Sequence, residues 1–166
     1  MLKEPSPKQY ALEMVTLEQL VPQDHLLRVI ERYIEFDFIR EATAQLYCDN
    51  NGRPAIDPVL LFKMLFIGYL FGVRSERQLV REVQVNVAYR WFLGLGLLDK
   101  VPDASTFSQN RRRRFEGTGI EQVIFDRIVE QAMEHGLIGG QALYTDSTHL
   151  KANANKNRHS THEVAL

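Results

Sequence analysis

Residues 59–71, VLLFKMLFIGYLF, are the most apolar run of the chain. The run is thirteen residues long and carries Lys63, whereas a membrane-spanning helix needs roughly 20 apolar residues. Asp57 and Pro58 stand directly before it, and these residue types favour the cap and the first turn of a helix. The run therefore predicts a buried helix, and we expect no membrane partner.

The remaining composition is that of a globular protein. The chain has 166 residues, of which 45% are hydrophobic and 25% are charged, so one domain or one domain and part of a second are expected. A single cysteine, Cys48, excludes an internal disulfide and fits a reducing compartment. The first residues lack the apolar core of a secretory signal. We therefore expect a cytoplasmic protein.

Helix signals extend outward from the apolar run in both directions. Ser75 begins a capping-box pattern, which predicts a helix from about Glu76, and Asn86 is a candidate cap for the next helix. Thr118 begins a second capping-box pattern with Glu121. Apolar residues at helical spacing predict further helices. They cover residues 25–34, 38–47, 107–115 and 118–135, and Pro22 and Asp24 are starting signals for the first of them. A turn is predicted at residues 50–54.

The pattern changes after Gly136. Gly139 and Gly140 indicate a hinge, and residues 142–148 are the first convincing predicted strand of the chain. We therefore predict a helical domain over residues 1–140 and the start of a mixed α/β domain over residues 141–166.

Basic residues concentrate in one stretch although the whole chain is close to neutral. Residues 73–114 contain nine basic and four acidic residues, a net charge of +5, and the rest of the chain carries −6. This asymmetry is expected when one face meets phosphates. The candidate DNA-contacting residues are Arg74, Arg77, Arg81, Arg90, Arg111, Arg112, Arg113 and Arg114.

The four consecutive arginines allow two interpretations. Four successive residues point around a whole helix, so at least two should face outward and could contact phosphates. Alternatively, the run is a solvated helix face paired with Glu116 or Asp103. Short helices with tight turns over residues 75–115 are compatible with a helix-turn-helix, but no sequence cue selects one helix as the groove reader.

Aromatic and histidine clusters have alternative interpretations as well. Trp91, with its neighbours Tyr89 and Phe92, could stack on bases, but such a cluster is more often core. His159 and His162, near His149, have zinc-like spacing, but no cysteine or helical histidine motif accompanies them. Exposed tail residues are the simpler interpretation.

Asp146 stands inside the apolar, β-prone run at residues 142–148. A buried carboxylate needs a partner or a metal ion, because an isolated one is too costly to desolvate. The alternative is a strand-end residue that caps the following turn. One carboxylate cannot by itself hold a catalytic divalent ion.

Five blocks occur in order along the chain: residues 20–27 (LVPQDHLL), 52–58 (GRPAIDP), 89–94 (YRWFLG), 101–108 (VPDASTFS) and 144–153 (YTDSTHLKAN). In these blocks the chain resembles the N-terminal part of the InsH-type transposases of bacterial insertion sequences. These belong to the broad Asp-Asp-Glu (DDE) transposase class. The resemblance extends from residue 17 to residue 157, and the order of five blocks makes it specific.

The resemblance implies a mainly α fold, in which a helical DNA-binding domain precedes the first strand of an incomplete RNase H-like α/β catalytic domain. Asp146 matches the first catalytic carboxylate, which in such enzymes binds Mg²⁺ together with two further carboxylates. Glu116 and Glu163 do not match those positions. The resemblance implies double-stranded DNA of the insertion-sequence ends as partner, with nucleoid association, and full-length transposase or a second copy as further partners.

Three functions follow as expectations. The first is a truncated transposase segment that binds element ends but cannot cleave DNA alone. The second is a non-catalytic DNA-binding protein that represses or partners full-length transposase. The third is a helical protein-interaction domain without a nucleic-acid role, which would lack salt-dependent DNA binding.

Overall fold

The computed structural model describes residue 10, residues 12–47 and residues 55–138, and this part of the chain is mainly helical without strands. The predicted turn at residues 50–54, the strand at residues 142–148, Asp146, Cys48 and the three histidines lie outside it. None of the described helices is long and apolar enough to cross a membrane. The elements in chain order are α1 (Leu17–Leu20), α2 (Leu26–Tyr33), α3 (Phe38–Thr43), a 3₁₀ helix (Ala44–Leu46), α4 (Pro58–Leu70), α5 (Glu76–Val85), α6 (Val87–Phe92), α7 (Ala104–Asn110), a π-helix (Arg111–Phe115) and α8 (Ile120–Glu134).

Helix α4 is the apolar helix that the sequence predicts. Asp57 caps it, since its carboxylate accepts from the Val59 N–H at 2.9 Å, and Pro58 occupies the first turn. Leu61, Met64 and Ile67 are fully buried or nearly so, as are Val59 and Phe62. The expectation of burial is wrong for the last turn, where Tyr69 is 82% exposed. Only the first three turns are therefore enclosed by other elements.

Aromatic side chains connect α4 to the rest of the core. The Phe36 ring contacts the rings of Phe66 and Phe92, at centroid distances of 5.8 Å and 5.6 Å. Phe62 contacts Phe115 of the π-helix at 4.9 Å. These edge-on and tilted contacts add to the free energy of apolar burial. They tie α4, α6 and the π-helix into one core.

Lys63 reaches water from within the apolar helix. Its ammonium donates to both Glu31 carboxylate oxygens at 3.0 Å and 2.9 Å and to the Phe92 carbonyl at 3.2 Å. It also lies 4.9 Å and 4.6 Å from the ring centroids of Phe36 and Phe92. The apolar stem covers the core while the charge is paired at its edge.

Helix α8 packs on α3 and is anchored by one side-chain amide. The buried Gln131 accepts from the Glu35 N–H at 2.7 Å and donates to the Glu35 carbonyl at 3.1 Å. The predicted capping box at the start of this helix is wrong, because the cap residue is Gly119, with a φ of 73°. The Thr118 hydroxyl instead bonds to the backbone around the turn, at Phe115 and Ile120.

The other helix boundaries follow the sequence with small shifts. Helix α2 is capped by His25, whose Nδ1 accepts from the Leu27 N–H at 3.2 Å, rather than by Asp24. The predicted helix 38–47 divides into α3 and the 3₁₀ helix. The predicted helix 107–115 begins three residues earlier, at Ala104, and its second half is π-helical.

Candidate nucleic-acid interface

Three consecutive helices, α5, α6 and α7, form the framework of the basic region. The Ser75 hydroxyl caps α5 by accepting from the Gln78 N–H at 3.2 Å. One residue, Asn86, separates α5 from α6 and caps the latter by accepting from the N–H groups of Ala88 and Tyr89 at 2.9 Å and 3.2 Å. Helix α5 packs against both α6 and α7. The one-residue connection fixes the angle between α5 and α6.

The surface of α5 carries arginines on one side. Leu79, Val80 and Val83 are buried, whereas Arg77 and Arg81 are exposed and lie four residues apart, on one helix face. Arg74, just before the cap of α5, is exposed as well. In the part of the chain that the structure describes, no carboxylate forms an ion pair with these three arginines. Their guanidinium groups thus face solvent without a described counter-charge.

The arginine run lies beside the first turn of α5. Arg111 forms an ion pair with Glu76, with 3.2 Å between Nη1 and Oε1. Phe115, which ends the π-helix, is 1% exposed and anchors the run in the core. The ion pair places the start of the run next to the first turn of α5, which also carries Arg77. One basic surface therefore spans two helical elements.

The four arginines of the run have different surroundings. Arg112 and Arg113 are exposed. Arg114 is half-buried, with its guanidinium carbon 4.3 Å from the centroid of the Tyr47 ring; burial raises the pKa of Tyr47 and Arg114 partly offsets this. The expected pairing with Glu116 or Asp103 is not found among the described residues, since Arg111 pairs with Glu76 and Asp103 pairs with Lys100 at 3.5 Å.

Arg90 differs from the other candidates and does not belong to the exposed surface. It is 4% exposed. Its guanidinium donates to the Gly96 carbonyl and, at 2.6 Å, to the Asp99 carbonyl, so it holds the loop after α6. Because its donors are used within the protein, we exclude Arg90 from the candidate DNA-contacting set.

The aromatic cluster of α6 serves the fold. Tyr89 and Phe92 are 7% and 2% exposed, as expected for core residues. Trp91 is half-buried and donates from Nε1 to a Glu18 carboxylate oxygen at 2.6 Å. The guanidinium of Arg28 lies 4.6 Å from its ring centroid. The Trp91 ring is thus engaged by the N-terminal helices, and base stacking is not supported.

An apolar groove of about 680 Å³ adjoins the basic surface. It is lined mainly by apolar side chains of α4 and α8. Arg111 and Arg112 border one part of it, and so do the carboxylates of Glu116 and Glu121. Because the acids would repel a phosphate, Arg74, Arg77, Arg81 and Arg113, which do not border the groove, are better placed to contact DNA than the groove.

Polar residues that the sequence did not single out accompany the arginines. Gln78 and Gln84 are exposed on α5, and Ser105 and Gln109 are exposed on α7. The detectable signal was helical spacing: Gln78 and Gln84 each lie three residues from Arg81 on α5, and Ser105 and Gln109 lie four residues apart on α7. No group of three His, Cys, Asp or Glu side chains in the described ranges could hold a metal ion.

Comparison with known proteins identifies a family. Comparisons with curated proteins and with solved structures gave no match. The family model "Transposase domain (DUF772)" matches residues 15–113. The match covers more than half of the chain and includes α1 to α7 with the first part of the arginine run. The chain is therefore a member of the transposase-domain family DUF772.

Proposed function

We propose that this transposase-family chain binds duplex DNA through the surface formed by α5 and the π-helix. One observation carries the proposal: exposed arginines of two elements, fixed side by side by the Arg111–Glu76 ion pair, have no described carboxylate partner. The proposed phosphate-contacting residues are Arg74, Arg77, Arg81, Arg112 and Arg113.

The chemistry of the guanidinium group supports this assignment. A planar guanidinium donates two parallel N–H bonds to phosphate oxygens and keeps its charge at any physiological pH. Each phosphate that is neutralised releases condensed counterions from the duplex. The binding constant should therefore fall steeply as the salt concentration rises, with a slope set by the number of arginine contacts.

The more specific assignment is an InsH-type transposase of the DDE class. Asp146 would be the first catalytic carboxylate and one ligand of Mg²⁺, as the sequence resemblance implies. Catalysis in that class needs two further carboxylates, and Glu116 and Glu163 do not match them, so we expect the purified polypeptide to bind element ends without cleaving them. A Mg²⁺-dependent nick that the purified chain makes and Asp146→Ala abolishes would contradict this.

A second candidate function uses the same surface without catalysis. As a DNA-binding protein, the chain could occupy element ends and repress or partner full-length transposase. The exposed arginines favour this function equally, because DNA binding through them requires no catalytic carboxylate. Adding the chain to a transposition assay with full-length transposase separates the two, since a repressor would lower the transposition frequency.

Duplex binding tests the proposal directly. Fluorescence anisotropy would compare the purified 166-residue chain on duplexes from the ends of its own element and on scrambled duplexes, across a salt series. We expect tighter binding to the ends and a steep salt dependence. Absence of duplex binding at low salt would favour the helical protein-interaction domain instead.

A further inference from the structure

The helical arm Ala104–Asn110 and its π-helical continuation have two chemically distinct sides. Phe107 and Phe115 are 2% and 1% exposed and face the core. Ser105 and Gln109 are exposed, as are the two middle arginines of the run, of which Arg112 also borders the apolar groove. The exposed polar residues of the arm form a stripe, made of Ser105 and Gln109, which lie four residues apart on one face of α7, and of Arg112 and Arg113 in the π-helix.

The dimensions of this arm suit a major groove. The seven α-helical residues extend about 10 Å at 1.5 Å per residue, the π-helix lengthens the arm further, and the major groove of B-DNA is about 12 Å wide and admits one helix. Ser105 and Gln109 lie nearer the start of the arm, whereas Arg112 and Arg113 lie near its end. An arm seated in the groove would thus present small polar groups to bases and positive charge to the flanking backbone.

The polar side chains of the stripe have the chemistry of base readout. A glutamine amide pairs with both N6 and N7 of adenine, and a serine hydroxyl accepts or donates at several base edges. Arginine binds either guanine or phosphate. Residues 104–115 contain no carboxylate, since Asp103 precedes α7 and Glu116, which borders the groove with Arg112, follows the π-helix.

Helix α5 is the rival reader, because Gln78 and Gln84 are exposed near Arg77 and Arg81. The order of the elements favours α7. In three-helix DNA-binding units the third helix enters the major groove while the preceding helices contact the backbone. Here α5 packs on both α6 and α7, and most of α6 is buried, which makes α7 the third helix of such a unit.

We propose that α7 and the π-helix form the major-groove reading element, with Ser105 and Gln109 as specificity-determining residues. The arginines of α5 then bind flanking phosphates. This inference rests on the proposed DNA binding but makes a separate claim about which helix reads sequence.

Selection from a duplex library with a randomised central region tests the inference. The full 166-residue chain and four exposed-site variants would be compared: Ser105→Ala and Gln109→Ala on the proposed reader, and Gln78→Ala and Gln84→Ala as matched controls on α5. We expect the wild-type chain to enrich a motif, and Gln109→Ala to lose about tenfold discrimination at one position of that motif. Affinity for unrelated duplex should stay within about twofold, since base contacts add little to non-specific binding.

The outcomes distinguish this inference from the proposed function. Unchanged motifs for both α7 variants, with altered motifs for the α5 variants, would overturn the assignment of the reading helix. Enrichment of no motif by a wild-type chain that binds duplex would overturn sequence reading while leaving DNA binding intact. Failure of the wild-type chain to bind any duplex would overturn both.

Discussion

At the scale of single residues, two of the arginines stabilise the fold rather than a ligand. Arg28 is 8% exposed; it pairs with Glu18, donates to the carbonyls of Val21 and Pro22, and stacks on Trp91. Arg90 similarly holds the loop after α6. The sequence alone does not distinguish these buried arginines from exposed ones, because their partners include residues far away in the sequence, such as Trp91 for Arg28.

Replacing Arg28 should destabilise the chain. In Arg28→Ala, the carbonyls of Val21 and Pro22 lose their donor and Trp91 loses its stacked cation. We expect the free energy of unfolding to fall by about 2–4 kcal/mol, measured by denaturant titration with circular dichroism. Arg32→Ala removes an exposed arginine from the same helix and should change it by less than about 0.5 kcal/mol. Equal effects of the two substitutions would contradict a structural role of Arg28.

Glu18 should make part of this stability dependent on pH. Its hydrogen bond to Arg28, with that to Trp91, holds the pKa of the carboxyl below its ordinary value of 4.5. A lowered folded-state pKa contributes stability above the unfolded value, and this is lost as the pH falls through the folded value. The stability difference between the wild-type chain and Glu18→Gln should therefore be larger at pH 7 than at pH 3. A difference independent of pH would contradict ionic pairing by Glu18.

At the scale of elements, helix caps that are set by residues adjacent in the sequence could be predicted, whereas those that are set by the tertiary fold could not. Asp57, Ser75 and Asn86 all accept the N–H bonds that their positions in the sequence indicate. Thr118 does not cap α8, because the chain turns at Gly119 in a left-handed conformation. The π-helix was likewise not predicted; its terminal Phe115 is packed against Phe62, a contact far apart in sequence.

Removing the cap of α6 should weaken the basic framework. Asn86 satisfies two N–H groups at the start of that helix, so Asn86→Ala should lower the free energy of unfolding by about 1 kcal/mol. Gln84→Ala, an exposed change two residues earlier, should be nearly neutral. Thermal unfolding of the two variants would measure the difference. An Asn86→Ala variant as stable as Gln84→Ala would show that the cap does not hold the connection between α5 and α6.

At the scale of the whole molecule, the charge asymmetry of the sequence corresponds to a spatial surface. The net charge of +5 over residues 73–114 indicated a basic face, and the exposed arginines of α5 and the π-helix lie beside each other through the Arg111–Glu76 pair. The sequence did not indicate which arginines reach that surface, because Arg90 and Arg114 differ from their neighbours only in burial. The proposed role of Asp146 stays a prediction, since it lies outside the described residues.

The salt dependence of duplex binding tests the central claim, DNA binding by this surface, most directly. Binding constants would be measured by fluorescence anisotropy for the wild-type chain, for Arg112→Gln/Arg113→Gln, and for Arg32→Gln/Arg127→Gln, a control that removes two exposed arginines from α2 and α8. If each arginine of the surface neutralises one phosphate, the slope of log K against log salt concentration should be smaller in magnitude by about 2 in Arg112→Gln/Arg113→Gln. The control should keep the wild-type slope. Equal slopes for the two double variants would contradict the proposed DNA-binding surface, which includes Arg112 and Arg113.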